Sequence, residues 1–399
     1  MVNKFLCRFC QFFIKIGYGF IRVPKQEIID YTNCLVELPK KIKELGLKKP
    51  LIVTDTKLLA LGVCNPLIDS CKANGVEYAL FSNLIANPTC ENAEDGYKCF
   101  MTNQCDCIIG FGGGSPIDTA KAIGAIAAKP KKNVRKFMGL LKIRKKIPTL
   151  FAIPTTAGTG SEATIASVIV DEKTSHKVAI MDPCLLPSYA ILDPMLTVTL
   201  PPFMTGTTGM DALCHAIESY TNWKYCRKVE KEAAKKATKL IYDNLLVAYK
   251  NGADIEARHN MQLAALYAGK AFTRGSVGYV HAIGHTLSGL YGLPHGQVMA
   301  IILPKVLRKY GKSAEKRLAE LADVCGINGI SNEEKAKNLI IWIENTNEIM
   351  GIGNSFEQLK KEDFEKIENW AIEEANPLYP CPQVWNKKDI EEILNQLIK

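Results

Sequence analysis

Asp211 and His215 stand four residues apart in Gly209-Met210-Asp211-Ala212-Leu213-Cys214-His215, so a helix carries both on one face. His281 and His285 repeat that spacing. His295 follows in Leu293-Pro294-His295-Gly296, which puts three of the chain's six histidines within fifteen residues. A single imidazole on an apolar helix is an ordinary hydrogen-bonded core residue, but such crowding beside a carboxylate points to a metal ion. Three imidazoles and one carboxylate suit a first-row divalent cation, Fe2+ or Zn2+, whereas Ca2+ and Mg2+ favour all-oxygen sites. His176 and His259 lack such neighbours and read as structural or exposed.

A second chemistry lies upstream. Cys107-Ile108-Ile109-Gly110-Phe111-Gly112-Gly113-Gly114-Ser115-Pro116-Ile117-Asp118 reads as an apolar strand, a glycine turn and a helix start. Glycines let the backbone approach a pyrophosphate, Ser115 suits the N-cap, Pro116 suits the first helical position, and the free N–H groups there attract anions. No Gly-Lys-[Ser/Thr] closes the loop, and Ser115 replaces the last glycine of G-x-G-x-x-G, so neither standard nucleotide fingerprint is met in full. Taken alone, the segment also reads as a tight strand-to-helix turn of any α/β protein. A second loop of small polar residues, Pro154-Thr155-Thr156-Ala157-Gly158-Thr159-Gly160-Ser161, follows another apolar run and offers hydroxyls and amides to the same ligand. Asp55 follows Leu51-Ile52-Val53-Thr54, where a carboxylate accepts from a ribose diol and repels a 2′-phosphate, which favours NAD over NADP.

The elements that position these residues differ between the halves. Upstream, short apolar runs alternate with helical patterns near 57–74, 93–103 and 116–128, which implies a mainly parallel sheet with crossover helices. Runs at 167–170, 178–180 and 190–192 either extend that sheet or form a hairpin beside it. Twelve of nineteen prolines fall in residues 1–200 and none between Phe203 and Leu293, so the second half reads as consecutive helices. With 399 residues the chain has room for an N-terminal extension, 1–24, a dinucleotide-binding α/β domain, 25–197, and a helical metal-binding and catalytic domain, 198–399.

Composition excludes other classes. Nine Lys/Arg fall in 129–146, and outside that stretch 41 cations balance 41 acids, so the net charge of +9 is a local solvated face and not a nucleic-acid footprint. Fourteen scattered cysteines, without a cleavable secretion signal, read as reduced cytoplasmic thiols, and neither Cys7-Arg8-Phe9-Cys10 nor Cys105-Asp106-Cys107 has the second pair that a structural zinc needs. Phe5, Phe9, Phe12, Phe13, Ile16 and Phe20 recur at helical spacing, interrupted by Lys4, Arg8 and Lys15, which is too short and too charged for a transmembrane segment. This basic amphipathic helix is expected to dock on the body of the protein, with a partner subunit or a weak contact to an anionic membrane as alternatives.

These motifs in this order resemble the iron-containing (group III) alcohol dehydrogenase family: Gly112-Gly113-Gly114-Ser115-Pro116-x-Asp118, Pro154-Thr155-Thr156-Ala157-Gly158-Thr159, Asp193-Pro194, Asp211-x3-His215, and His281-x3-His285-x9-His295-Gly296. The resemblance covers about Leu51 to Pro377. It implies an α/β nucleotide-binding domain followed by an all-α domain, a dehydroquinate synthase-like architecture. By motif, the metal ligands would be Asp211, His215, His281 and His295, with His285 beside the site without ligating; His285, or a ribose hydroxyl and water chain, would be the catalytic proton relay. The cofactor would meet Gly112, Gly113, Gly114, Ser115 and Asp118, with Thr155, Thr156, Thr159 and Thr164 toward the nicotinamide, Asp55 at the ribose, Asn87 in the adenine-side loop, and Lys177. Ala166 and Phe272 align with the substrate pocket. Two departures stand out: 29–33 lacks the glycine-bearing turn usual before the first crossover helix, and the segment before Pro24 is longer than in the shortest members.

The activity implied is NAD(H)-dependent, metal-assisted hydride transfer between the nicotinamide and a small primary alcohol, diol or aldehyde, in a cytoplasmic homo-oligomer. Glycerol or polyol oxidation in the same superfamily is the alternative within enzymes, and a non-catalytic nucleotide-binding protein the alternative outside them.

Overall fold

The computed structural model describes residues 3–84, 87–173 and 176–399, without the side chains of Phe20 and His176, so the expectation for His176 lies outside the described residues. The chain divides into two compact units, Arg22–Leu200 and the combination of Met1–Ile21 with Pro201–Lys399.

In chain order, helix α1 is Lys4–Phe20, followed by β1 (Glu27–Ile29), α2 (Leu38–Glu44), β2 (Pro50–Val53), α3 (Thr56–Ala60), α4 (Asn65–Ala73), β3 (Ala79–Phe81), α5 (Cys90–Thr102), β4 (Cys107–Gly112) and α6 (Gly114–Ala128). Then come β5 (Gly139–Leu140), β6 (Thr149–Pro154), β7 (Ala166–Asp171), β8 (His176–Met181) and β9 (Tyr189–Ile191). Six of these strands form a parallel sheet in the order β1-β9-β6-β4-β2-β3. Successive residues of β4 enter different cores: Ile108 packs with Phe100 of α5 and Ile123 of α6, while Ile109 packs with Ile42 of α2 and Leu67 of α4. Burial on both faces explains why the strands read as unbroken apolar runs.

β7 and β8 form an antiparallel pair beside this sheet, with β5 along β8, while β9 joins the main sheet between β1 and β6. The helix expected over 57–74 is broken into α3 and α4. Gly62 takes φ +69° between them, and Pro66 has no N–H for a helical bond and would clash with the carbonyl four residues back. Before α2, Asn33 takes φ +64° in place of a turn glycine, and its N–H donates to Asp193 Oδ1 while the Leu35 N–H donates to Oδ2. Asp193-Pro194 therefore ties the end of β9 to the first turn of the unit.

The other unit holds α7 (Pro202–Thr221), α8 (Lys228–Lys250), α9 (Ile255–Gly275), α10 (Tyr279–Tyr291), α11 (His295–Tyr310), α12 (Lys312–Cys325), α13 (Asn332–Ile349), α14 (Phe364–Ala375) and α15 (Lys387–Leu397). Helix α1 docks on this unit through polar groups. The fully buried Gln11 donates to the Tyr379 carbonyl at 2.9 Å, Arg8 to the Pro382 carbonyl at 2.9 Å, and Arg274 to the carbonyls of Tyr18 and Ile21. Phe5, Phe9, Phe12 and Phe13 are exposed on the other side of the helix. No helix among the described residues is long and apolar enough to cross a membrane.

Candidate active site

Helix α7 is buried along most of its length, and its inward face carries Asp211, His215 and Glu218 at spacings of four and three. Asp211 Oδ1 lies 3.7 Å from His281 Nε2 on α10, 3.4 Å from His295 Nε2 at the start of α11, and 4.0 Å from His215 Nδ1. The His215 ring stacks on His281 at 4.5 Å between centroids and on Phe272 of α9 at 4.2 Å. Asp211 Oδ1, His215 Nδ1 and His281 Nε2 are buried without a hydrogen-bond partner. Orphaned buried polar atoms are costly, about 1–3 kcal/mol each, and Asp211, His281 and His295 bring ligand atoms within 4.8 Å of one another, a group that fits a divalent cation, while His215 Nδ1, 4.0 Å from Asp211, lies outside that mutually close set. Donors bound at about 2.1 Å to one tetrahedral ion stand about 3.4 Å apart, close to the spacing seen.

Electrostatics agree with that reading. Burial raises the Asp211 carboxyl, but the surrounding imidazoles outweigh it and hold the group well below the usual carboxylate range. Burial pushes His215 down to about 3, and it also lowers His295, so both rings stay neutral and able to coordinate. At His281 the opposite holds without an ion: burial is overcome by Glu218 and Asp211, which push the imidazole up to about 9, so coordination through Nε2 would release that proton.

Glu218 carries no role in the motif reading, yet it organises the site. Its carboxylate accepts from His281 Nδ1 at 2.5 Å and from the Val280 N–H at 2.8 Å, which turns Nε2 toward Asp211. Its place one heptad after Asp211 on the same helical face was the signal available. His285 does not share the Asp211 cluster: its Nδ1 lies 2.7 Å from Glu374 Oε1, which also accepts from the Tyr379 hydroxyl at 2.9 Å, and its ring stacks on His295 at 5.3 Å. Glu374 and Tyr379 have no signal of their own, being a surface-patterned glutamate and a loop tyrosine until the fold brings them to His285.

In the α/β unit, β2, β4 and β6 are neighbours running in one direction, so Asp55, the glycine loop and the threonine loop leave the same carboxyl edge of the sheet. Gly112 takes φ +145°, and a Cβ on Gly114 would stand 2.9 Å from Thr159 Cγ2, so the two loops pack without room for side chains. The Thr155 N–H donates to the Gly112 carbonyl at 3.0 Å. Thr156 lies against Gly113. Ser115 is not the N-cap. Strand β4 runs on to Gly112, the helix starts at Gly114, and the cap is Gly113, which has no side-chain acceptor and leaves the first-turn amides to a ligand.

Asp118 and Thr164 serve a buried cation that the motifs did not reveal. Lys121 Nζ donates to the Ser161 carbonyl and hydroxyl, to Thr164 Oγ1 and to the Ala166 carbonyl at 2.6–3.0 Å, and burial lowers it to about 8. Asp118 Oδ1 accepts from the Ser161 hydroxyl at 2.5 Å and Oδ2 from the Val168 N–H at 2.9 Å, and Lys177 on β8 adds a favourable charge. Asp55 Oδ1 accepts from the Lys57 and Leu58 N–H groups as the N-cap of α3, and Asn87 is exposed at φ +63°. A further acidic group, Cys90, Asp171 and Glu172, is occupied by the Arg135 guanidinium, 2.9 Å from Asp171 and 2.6 Å from Glu172, which uses one cation of the 129–146 stretch.

Residues 25–194 match the sequence family described as iron-containing alcohol dehydrogenase, and residues 205–398 match the C-terminal domain of the same family. The chain belongs to the iron-containing alcohol dehydrogenase family. It is 36% identical to the 1,3-propanediol dehydrogenase of Klebsiella pneumoniae over 370 residues, covering 91% of this chain and 95% of that one. It is 35% identical to the NAD-dependent methanol dehydrogenase of Bacillus methanolicus over 380 residues, covering 94% and 99%. The crystal structure of a 1,3-propanediol oxidoreductase superposes with a TM-score of 0.89 at 34% identity, covering 94% of this chain and all of that one. Family members so named are oxidoreductases acting on CH–OH groups, and the fold read from the sequence, a parallel α/β sheet followed by a helical region, is that of the family.

Proposed function

We propose that this iron-containing alcohol dehydrogenase family member is an NAD(H)-dependent, divalent-metal-dependent alcohol dehydrogenase and aldehyde reductase for a small primary alcohol, diol or aldehyde. The observation that carries it is the set of buried donor atoms left unpaired around Asp211. Asp211, His215, His281 and His295 would hold the ion, Fe2+ with Zn2+ as the alternative. Bound there, the cation supplies Lewis-acid polarisation of the substrate oxygen.

The chain's own residues supply the rest. Asp211 sets one negative charge against the ion, and Glu218 holds the His281 ring by its Nδ1–H. Phe272 covers the His215 face with an apolar wall, which excludes water and suits short unbranched carbon chains. His285, hydrogen-bonded to Glu374 and thereby joined to Tyr379, accepts the substrate proton in oxidation and returns it in reduction. Glycines 112–114 and the uncapped first turn of α6 take the cofactor's phosphates, Thr155, Thr156 and Thr159 face its nicotinamide half, and Asp55 selects NAD through the ribose diol. The names of the relatives, for methanol and 1,3-propanediol, support a small hydroxyl substrate. A polyol such as glycerol is the second reading, supported by the same donor set.

The test is anaerobic purification, metal analysis by mass spectrometry, and NADH oxidation over short aldehydes after Fe2+ or Zn2+ is restored. About one metal per chain with oxidation dependent on propanal or butanal is the expected result. Turnover confined to sugar acids or phosphorylated aldehydes would refute the small-substrate assignment.

A further inference from the structure

Helix α1 lies before residue 25, where the family match begins, and it presents an aromatic face away from the protein. At 100° per residue, Phe5, Phe9, Phe12, Phe13 and Ile16 occupy an arc of about 100° opposite the docked Cys7 and Gln11. Their exposure is 79% at Phe5 and stays near half at Phe9, Phe12 and Phe13. The rings contact one another, Phe9 with Phe13 at 4.8 Å and Phe12 with Phe13 at 5.8 Å, so they form one continuous patch. Single exposed apolar residues are normal, whereas a joined row of four phenylalanines on a helix whose other face is hydrogen-bonded to the body marks a docking surface.

Charge says what covers it. Residues 1–26 carry Lys4, Arg8, Lys15, Arg22 and Lys25 and no Asp or Glu. Arg8 is engaged by the Pro382 carbonyl and Gln11, while Lys4 and Lys15 are exposed on the flank between the docked Gln11 and the aromatic arc. An aromatic arc with lysines along one flank is the pattern of a helix lying in the headgroup boundary of an anionic bilayer. A second copy fits poorly, because a two-fold contact sets the same patch against itself, cation to cation, with no carboxylate in the segment to pair them. We propose that the outer face of α1 docks the protein on the surface of an anionic phospholipid bilayer, with the helix lying in the plane of the interface.

The experiment is vesicle flotation of the full chain, with phosphatidylcholine vesicles compared to vesicles that also contain phosphatidylglycerol, at low and high salt. Binding is expected on the anionic vesicles, weakened by salt and absent from the neutral ones. Phe9→Ser/Phe12→Ser/Phe13→Ser should lower the partition more than about tenfold. Lys4→Gln and Lys15→Gln should each lower it about fivefold. Unchanged circular dichroism and melting temperature in the lysine variants, whose side chains are exposed, separate lost binding from lost fold. Absence of binding by the native chain, equal binding to neutral vesicles, or retained binding in the triple variant overturns the proposal. So does a fall in solution mass by light scattering in the triple variant without vesicles, which assigns the face to a second copy.

Discussion

The loops of the α/β unit and the imidazole cluster of the helical unit treat their polar side chains in opposite ways. Around the glycine loop the charged groups are partnered within the protein: Lys121 has four oxygen acceptors, and Asp118 accepts through both oxygens. What is left for a ligand there is backbone, the amides at the start of α6. Around Asp211 the reverse holds, since side-chain atoms are buried and unpaired while the outer nitrogen of His281 is tied down by Glu218. A phosphate is recognised by N–H groups that any tight turn from strand to helix exposes, so its site is compatible with a relaxed, satisfied unit. An ion needs several lone pairs aimed at one point, an arrangement that stays unfavourable until the ion arrives. The helical unit is therefore expected to be stabilised by metal far more than the α/β unit is by NADH.

The sharpest way to break this contrast is His281→Ala. Metal content should fall to background and turnover should vanish with it, while NADH binding, measured by fluorescence titration, stays largely intact; loss of NADH binding together with metal would mean that the two sites are not separately built. Glu218→Gln comes next. Removing the charge that orients His281 should weaken metal binding by about 10–100-fold, read by competition with a chromophoric chelator, with little change in the NADH titration. On the other side, Gly114→Ala would drive a methyl to 2.9 Å from Thr159 Cγ2 and open the contact between the two loops. NADH affinity should drop by about tenfold or more with metal content unchanged, since displacements near 1 Å already cost that much at a positioned site. The smallest effect belongs to Asp55→Ser, which keeps an oxygen for the Lys57 and Leu58 N–H groups while deleting the carboxylate. The ratio of kcat/KM for NADPH to that for NADH should rise, and an unchanged ratio would limit Asp55 to capping α3.

Much of the cluster was legible because helical periodicity is local. Asp211 with His215, and His281 with His285, share faces by spacing alone. What spacing could not say is which imidazoles meet: His285, one turn from His281, turns to Glu374, whereas His295, across a loop, comes within 3.4 Å of Asp211. The α/β unit shows the same limit. Its alternation of strands and helices was readable, but the break at Gly62 and Pro66 and the continuation of β4 to Gly112 were not, since a short apolar run does not mark where pairing with β6 ends. Lys121 was invisible for a similar reason, because a lysine three residues after an aspartate on a helix is ordinarily a surface pair, and only the loop folded over it at 161–166 makes it a buried hub. Helix α1 docks on the body as expected, but its orientation was another matter. Its apolar stripe was readable, but whether that stripe faces in or out depends on Gln11 and Arg8 finding carbonyls at 379 and 382, contacts more than 360 residues away along the chain.

By itself the sequence determined the local terms: which residues can ligate an ion, which loop can approach a phosphate, where helices replace strands, and the family that these motifs define. Those follow from side-chain chemistry and from periodicities of two and 3.6 residues, which need no knowledge of the rest of the chain. The tertiary structure alone decided the order of the strands, and with it the shared edge that carries Asp55, Gly112 and Thr155. It also decided the convergence of three helices on Asp211, the carboxylates that orient the histidines, and the outward turn of Phe5, Phe9, Phe12 and Phe13. Each of these is a contact between residues distant in sequence, selected by the burial of whole faces and the pairing of buried polar groups, which a local pattern permits but does not choose.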